Sequence, residues 1–312
     1  MATADATFVL CIEQNAIREQ ALLLCESIRA FAGRSRGAPV VAVSPRPGRG
    51  VDRRTRKRLD AMQVEYVEAP LNVDCPEYAS ANRVYAAAWA ERHARTDWIV
   101  VLDSDTVWLD EPAFPSDADV AVRPVDVKGS ASAGPDDPLD RYWARLAQMQ
   151  GVPLDRLPFL HTTHSGHRVR ASYNGGLIVA RRALGVLSAW ADLFSRSVAA
   201  GLRPWPDSGL NVFASTGFVG REASEYWGSN QAAAALAIWS LTDRVRVYPD
   251  TYNVPLHLLM DTPSRACGSP IVHVHYHWVF GDPYYRPALS ALQALGVGRD
   301  RLEWLSARLP IA

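Results

Sequence analysis

Short β-branched apolar runs alternate with helical stretches through the first third of this chain, and no other feature restricts the fold as strongly. "ATFVLCIE" (6–13) predicts a strand, and "AIREQALLLCESIRAFAG" (16–33) an amphipathic helix closed by Gly33. "APVVAVSP" predicts a second strand stopped by a Pro/Gly-rich turn, "RRTRKRLDAMQ" a helix and "VEYVEAP" a third strand. An alanine-rich helix, "YASANRVYAAAWAERHA", then leads into "TDWIVVLDSDTVWLD" (96–110). Strands that alternate with helices need crossover connections, which predicts an α/β fold with a mostly parallel sheet flanked by helices. No G-x-G-x-x-G follows the first strand, which disfavours a dinucleotide oxidoreductase.

The fourth run carries the chemistry. Trp98 to Leu102 has the length and β-branched content of a central parallel strand. Asp103 and Asp105 fall at its C-terminal end, where open α/β sheets bind ligands. Two carboxylates so close repel each other and resist burial without partners. They can cap a turn, ligate a hard cation, or serve as nucleophile and acid of a phosphatase. A divalent cation prefers oxygen ligands, lets two carboxylates face a diphosphate, and stabilises charge on a departing diphosphate. Near the C-terminus, "HVHYHW" spaces His273, His275 and His277 by two, which in a strand puts all three on one face. That arrangement suggests a metal ligand or a phosphate contact. "HTTHSGH" spaces His161, His164 and His167 by three in a Gly- and Thr-containing loop, a pattern of surface polar residues or of substrate contact.

Composition removes several classes of partner. Lys+Arg and Asp+Glu each number 33, so net charge points to neither nucleic acid nor an anionic membrane. The one charge run, "RPGRGVDRRTRKR" (46–58), has no interleaved aromatic residue and predicts a solvated loop and helix face. Cys11, Cys25, Cys75 and Cys267 lack paired spacing, which predicts buried free thiols. No stretch of about 18 apolar residues occurs and no leader pattern opens the chain, so a cytoplasmic protein without a membrane span is expected. Beyond Asp110 the texture changes: a loop at "VKGSASAGPDDP", a helix at "LDRYWARLAQMQG", an irregular polar segment at "FLHTTHSGHRVRAS", and a strand and long helix from "YNGGLIVA". "NQAAAALAIWSL" predicts another helix, "RVRVYPDTYNVP" and "PIVHVHYHWV" predict strands, and the tail from Arg286 predicts helix.

These motifs, in this order, give the chain its resemblance. "TDWIVVLDSDTVWL" resembles the DxD segment of GT-A glycosyltransferases, which hold a sugar nucleotide through a divalent metal. The succession is similar to the glycogenin-like family 8, whose members transfer sugars with retention of configuration. "NRVYAA" resembles that family's Asn-Lys helix, with Arg83 for lysine; "YNGGLIVA" its "FNAGV" strand; "NQAAAALAI" its Asp-Gln helix start; "YPDTYNVP" its "LPxxYN". "IVHVHYHW" stands where the family keeps a C-terminal metal histidine.

The resemblance implies a GT-A (Rossmann-like) fold and an Mn²⁺ or Mg²⁺ cofactor held by Asp103, Asp105 and one histidine. His275 is the first choice, since it precedes a tyrosine; His273 and His277 are the others. It implies a UDP- or GDP-linked sugar donor and a hydroxyl-bearing acceptor. Arg83 would meet the diphosphate or sugar, Ser104 would lie with its flanking aspartates on the donor, and Asn174, Gly175 and Gly176 would line the sugar. Glu13 and Asn15 end the first strand, where base and ribose would lie, although Asn15 could equally cap a helix. Asn230 and Gln231 correspond to the family's catalytic helix start, with Asn230 in place of aspartate. "GDPYYRP" replaces the family's Lys-Pro-Trp.

An inverting reaction would need a carboxylate base, for which Glu225 and Asp207 are the nearest candidates. Trp205 and Trp227 could stack on an acceptor sugar or belong to the core. A single GT-A domain, 1–312, is expected: a nucleotide-binding half (1–110), a donor-sugar and acceptor half (111–285) and a helical tail (286–312). Segments 121–172 and 201–228 would select the acceptor. A haloacid-dehalogenase-like phosphatase would need a downstream lysine, and Lys57 and Lys128 are the chain's lysines. A sugar-nucleotide-binding protein without turnover is the non-enzymatic alternative.

Overall fold

The computed structural model describes residues 5–261 and 270–311. The first third folds as β1 (Ala6–Cys11), α1 (Ile17–Phe31), β2 (Val40–Ser44), α2 (Arg53–Ala61), β3 (Val64–Glu68), α3 (Asn82–His93), β4 (Trp98–Leu102) and β5 (Thr106–Trp108). Then come β6 (Val120–Pro124), α4 (Asp140–Gln150), β7 (Phe159–His161), β8 (Arg168–Arg170), β9 (Tyr173–Arg181) and α5 (Val186–Ala199). The last part contains β10 (Phe213–Ala214), β11 (Gly217–Phe218), α6 (Arg221–Glu225), α7 (Ser229–Leu241), β12 (Val245–Val247) and β13 (Val254–Pro255). It closes with α8 (Leu256–Leu259), β14 (His273–His275), α9 (Tyr285–Ala294) and α10 (Arg299–Ser306).

Seven strands form the central sheet in the order β12-β6-β9-β4-β1-β2-β3. β4, β1, β2 and β3 run parallel to one another, as do β12 and β6, while β9 is antiparallel to both β4 and β6. The expected mostly parallel α/β sheet is therefore present, with one strand reversed among the described residues. Alternation along each strand sends side chains to two different cores. Val9, Ile99 and Val101 join the layer that holds α3, α5 and α7, while Phe8, Leu10, Val100 and Leu102 join the layer under α1. Each fully buried side chain of this size contributes about 1.5–3 kcal/mol. A one-residue slip of β4 would reverse every face, so the register of β4 is fixed and the two acids at its end have a fixed place.

A third apolar layer closes the chain. β14 pairs antiparallel with β5 and parallel with β13, and Val107, Val254 and Val274 pack beneath α9 and α10. His275 lies opposite Thr106, so the C-terminal histidine strand is hydrogen-bonded to the residues that immediately follow the acid pair.

Three expectations change. The segment predicted as irregular, 159–172, contains the β7–β8 hairpin, and the Arg168 guanidinium lies 3.7 Å from the centre of the Phe159 ring. Cross-strand stacking of arginine on an aromatic ring favours pairing that hydrophobic alternation alone does not reveal. The strand predicted over "PIVHVHYHWV" is confined to His273–His275, and His277 has φ 54°, in the left-handed region. Arg46, placed by its sequence in a solvated run, instead pairs with the fully buried Glu13. Cys11, Cys25 and Cys75 are buried free thiols as expected, and Cys267 lies outside the described residues.

Candidate active site

β4 stops at Leu102, and the next three residues turn over the C-terminal edge of the sheet. The Asp103 amide donates to the Gly176 carbonyl at 3.3 Å, the Ser104 hydroxyl donates to the Cys11 carbonyl, and Thr106 Oγ1 donates to the Asp103 carbonyl at 2.7 Å. The Tyr276 amide donates to the Asp105 carbonyl at 3.0 Å. These bonds tie the turn to β1, β9 and the segment after β14, so the carboxylates are held by three neighbours. Asp103 is paired with Arg83, which comes from the first turn of α3.

The histidines face this pair from the other side. His275 Nε2 lies 3.3 Å from Asp105 Oδ1 and 3.8 Å from Asp103 Oδ2, and His277 Nδ1 lies 3.6 Å from Asp105 Oδ2. One ligand atom each from Asp105, His275 and His277 can be chosen so that all lie within 4.8 Å of one another. His273 does not join them: its fully buried ring packs on Trp108 at 4.5 Å between centres.

Charges in the cluster are coupled. Burial, opposed by Arg83 and reinforced by Asp105, leaves Asp103 above the ordinary carboxylate range. Burial would also raise Asp105, but His275 and His277 overcome it and hold that carboxyl far below the usual range. His275 is raised although burial opposes it, because Asp105 and Asp103 face it. Burial beside His275 depresses His277, and depresses His257 down to about 3, leaving neutral imidazoles of the kind a cation binds.

Behind the acids, β9 supplies a close backbone approach. A Cβ on Gly175 would strike the Arg83 guanidinium, and one on Gly176 would strike the Asn253 side-chain oxygen and the His275 ring. Asn174 Oδ1 accepts from the Gly176 amide at 2.8 Å, and its Nδ2 donates to Asp126 Oδ2 at 2.5 Å. Arg83, Asp126, Asn174 and His275 border a cavity of ≈ 650 Å³, within the usual range for a small-molecule site. Gly175 and Gly176, expected to line the sugar, instead lie behind that lining, their α-carbons packed against Arg83, Asn253 and His275.

Other residues marked in the sequence fall in and around this cavity. Glu13 lines it, bonded to Arg46 and accepting from Asn82 Nδ2 at 3.1 Å; Arg49 also lines it. Asn15 lines it too, with its side-chain oxygen accepting from the Ile17 amide at 3.0 Å at the start of α1. Gln231 reaches the cavity, whereas Asn230 is buried behind it, donating to the Ser80 carbonyl at 2.9 Å and accepting from the Tyr78 hydroxyl at 3.2 Å. Trp227 borders the cavity, while Trp205 stands behind it and donates from Nε1 to the Trp227 carbonyl at 3.0 Å. Glu225 is outside the lining, bonded to Arg203, which holds its carboxyl below the ordinary range. Asp207 is exposed, as are His161, His164 and His167. Lys128 reaches the rim and pairs with Asp137 at 2.8 Å.

The structure adds residues that no motif marked. Asp126, in the segment after β6, is buried and also accepts from Thr163 Oγ1 at 2.6 Å. His257, on the short α8, sets its ring 3.9 Å from that of His277. The β10–β11 hairpin brings Phe213 and Phe218 to the cavity, and Phe218 is 73% exposed. Phe213 meets Phe218 at 5.1 Å and Trp278 at 5.4 Å between ring centres, both edge to face. Lone aspartate, histidine and phenylalanine residues in loop sequence carry no period that would have singled them out.

A mostly parallel α/β sheet, with paired strand-end acids against histidines and an asparagine–glycine strand, defines a protein of the GT-A glycosyltransferase class. Residues 8–207 match the family model described as the Rhodobacterales glycosyltransferase domain, and the chain belongs to that family. No curated protein matches the chain. Among solved structures, WbbM, a bifunctional glycosyltransferase, is similar with a TM-score of 0.51 at 14% identity. The match covers 99% of this chain and 52% of WbbM, so the chain spans about half the length of that protein. An active-site mutant of LgtC gives a TM-score of 0.49 at 14% identity, covering 98% of this chain and 97% of that one. Among the described residues, no helix is long and apolar enough to cross a membrane.

Proposed function

We propose that this chain moves a sugar from a UDP- or GDP-linked donor to an acceptor hydroxyl with the help of Mn²⁺ or Mg²⁺, and with retention of configuration. The observation that carries the reading is the convergence of Asp103, Asp105 and His275 beside Arg83 on one cavity wall. His275 is buried, and neither of its ring nitrogens has a hydrogen-bond partner among the described residues. An imidazole left so at an acid pair suits a cation better than it suits a core. Asp103, Asp105 and His275 would hold the ion, which when bound would neutralise the diphosphate and stabilise charge on the leaving group.

The chain's own residues take the remaining tasks. Arg83 carries a fixed positive charge to the donor side of Asp103, and Arg49 lies along the nucleotide side, where Arg46 is already paired with Glu13. Glu13 and Asn15 would receive base and ribose at the end of β1. Gly175 and Gly176 leave room for the Arg83 guanidinium and the His275 ring to reach the site, and Asp126 fixes the Asn174 amide that would border the sugar. Gln231 would face the reacting carbon, with Asn230 positioning the start of its helix. The acceptor would lie against Trp227 and the β10–β11 hairpin, since Trp205 is set back from the cavity.

Retention is supported by how the carboxylates of the wall are occupied. Glu13 is bonded to Arg46, Asp103 to Arg83, Asp105 faces the histidines, and Asp126 accepts from Thr163 and Asn174. Glu77 lines the cavity too, but is exposed near Arg46. In a front-face reaction the departing phosphate oxygen takes the acceptor proton, so no protein base is needed.

The test is a donor panel of UDP-glucose, UDP-galactose and GDP-mannose, assayed by calorimetry and by slow hydrolysis with and without Mn²⁺. One donor should bind and turn over with metal, and Asp105→Ala should abolish both. NMR of the product's anomeric centre decides the stereochemistry. Metal-independent hydrolysis of a simple phosphomonoester would remove the transferase reading.

A further inference from the structure

We infer that His277 is a further cation ligand, and that with it the site takes first-row transition ions in preference to Mg²⁺ and Ca²⁺. The inference rests on the proposed cation site, but it makes a demand of its own. The resemblance asks for one histidine; the structure brings two imidazoles to the two oxygens of a single carboxylate. His275 Nε2 stands 3.3 Å from Asp105 Oδ1, and His277 Nδ1 stands 3.6 Å from Asp105 Oδ2.

His277 does not reach that place by strand geometry. β14 ends at His275, and a left-handed residue, φ 54°, folds the His277 ring back onto the His275 ring at 3.9 Å and 16° between planes. A non-glycine residue in that region is strained, and it persists where the surroundings over-determine it. Here His257 closes on His277 from the other side at 3.9 Å, with Trp278 beside both rings. A second observation points to a ligand. His275, 3% exposed, has no hydrogen-bond partner for either nitrogen among the described residues, although Nε2 is aimed at Asp105.

Donor chemistry then sets the ion. Mg²⁺ and Ca²⁺ take oxygen ligands and gain little from imidazole. Imidazole suits Zn²⁺, Fe²⁺, Ni²⁺ and Cu²⁺, and affinities for nitrogen and oxygen sites rise from Mn²⁺ through Co²⁺. Two imidazoles with Asp105, and Asp103 shared with Arg83, form a mixed set in which nitrogen weighs as much as oxygen.

The experiment uses the full chain and chloride salts of the metals alone, without nucleotide or sugar. Its outcome is therefore separate from whether any donor is turned over. Calorimetry should show Co²⁺ and Zn²⁺ bound more tightly than Mn²⁺, with Mg²⁺ and Ca²⁺ weakest. His277→Asn keeps a residue type that tolerates the left-handed turn. It should lose at least about tenfold in Co²⁺ and Zn²⁺ affinity while Mg²⁺ changes by less than about twofold. His277→Asp should narrow the gap by strengthening Mg²⁺. Should a variant fold poorly by circular dichroism, pulsed electron paramagnetic resonance of Mn²⁺ on the unaltered chain still decides, because it counts coupled nitrogens: two are expected. A single coupled nitrogen, Co²⁺ affinity unchanged in folded His277→Asn, or Mg²⁺ bound as tightly as Co²⁺ would each overturn the inference.

Discussion

The cavity has two walls built on opposite principles. One is the end of β4, β9 and β14, where Asp105 and His275 are buried, Asp103, His277 and Arg83 half-buried, and the acid turn is tied by hydrogen bonds to three neighbouring segments. The other is the β10–β11 hairpin, two residues per strand, with Phe213 and Phe218 standing in solvent. The first wall gains its precision from the sheet and loses it to any added atom. The second carries little of the core and can change its side chains without disturbing the fold. Under the proposed reading, chemistry common to many substrates would belong on the first, and choice of acceptor on the second.

Perturbing each wall should give a different signature. The largest effect is expected from Asp105→Ala: transfer should fall roughly thousandfold or more, with the circular dichroism spectrum kept. Survival of most activity would remove the acid wall from the reaction. Gly176→Ala should come next, because its Cβ enters space filled by Asn253 and His275. Such overpacking costs about 1–3 kcal/mol, so thermal denaturation should move down and nucleotide binding should weaken with it. On the hairpin, Phe213→Ala with Phe218→Ala should raise the acceptor KM about tenfold, the worth of a lost aromatic contact. Donor hydrolysis should stay as it was. Equal losses in both assays would show that the hairpin serves the donor instead.

The smallest effect belongs behind the hairpin. Trp205→Phe removes the bond from Nε1 to the Trp227 carbonyl and should cost about 1 kcal/mol in denaturant unfolding. It should leave the acceptor KM unchanged. A raised KM would bring Trp205 back to the acceptor.

The same division explains what could be read in the sequence. The acid wall was legible because strand period, burial and position act together: an apolar run must be a strand, and its C-terminal end must face the ligand edge. Asn174 reaches the cavity from the strand the sequence marked, but the close approach that its two neighbouring glycines permit is made by the side chains of Arg83, Asn253 and His275. His277 was singled out, but by a strand that stops two residues earlier; a left-handed turn, which no alternation pattern encodes, brings it in. His257, Asp126 and Phe218 were invisible because each is one residue in a loop, and its importance comes from partners far away in the chain. Arg46 was misjudged because a run of charges hides the one member whose partner, Glu13, is buried.

The pairing of β5 with β14 has a consequence for how the protein is made. Asp103 and Asp105 leave the ribosome about 170 residues before His275, and until that late strand docks the pair has lost one whole side of its surroundings. A chain that stops short of β14 therefore has the acids at the end of β4 but lacks the imidazoles that face them. Assembly of the cluster waits on the docking of β14, long after β4 itself can pair with β1.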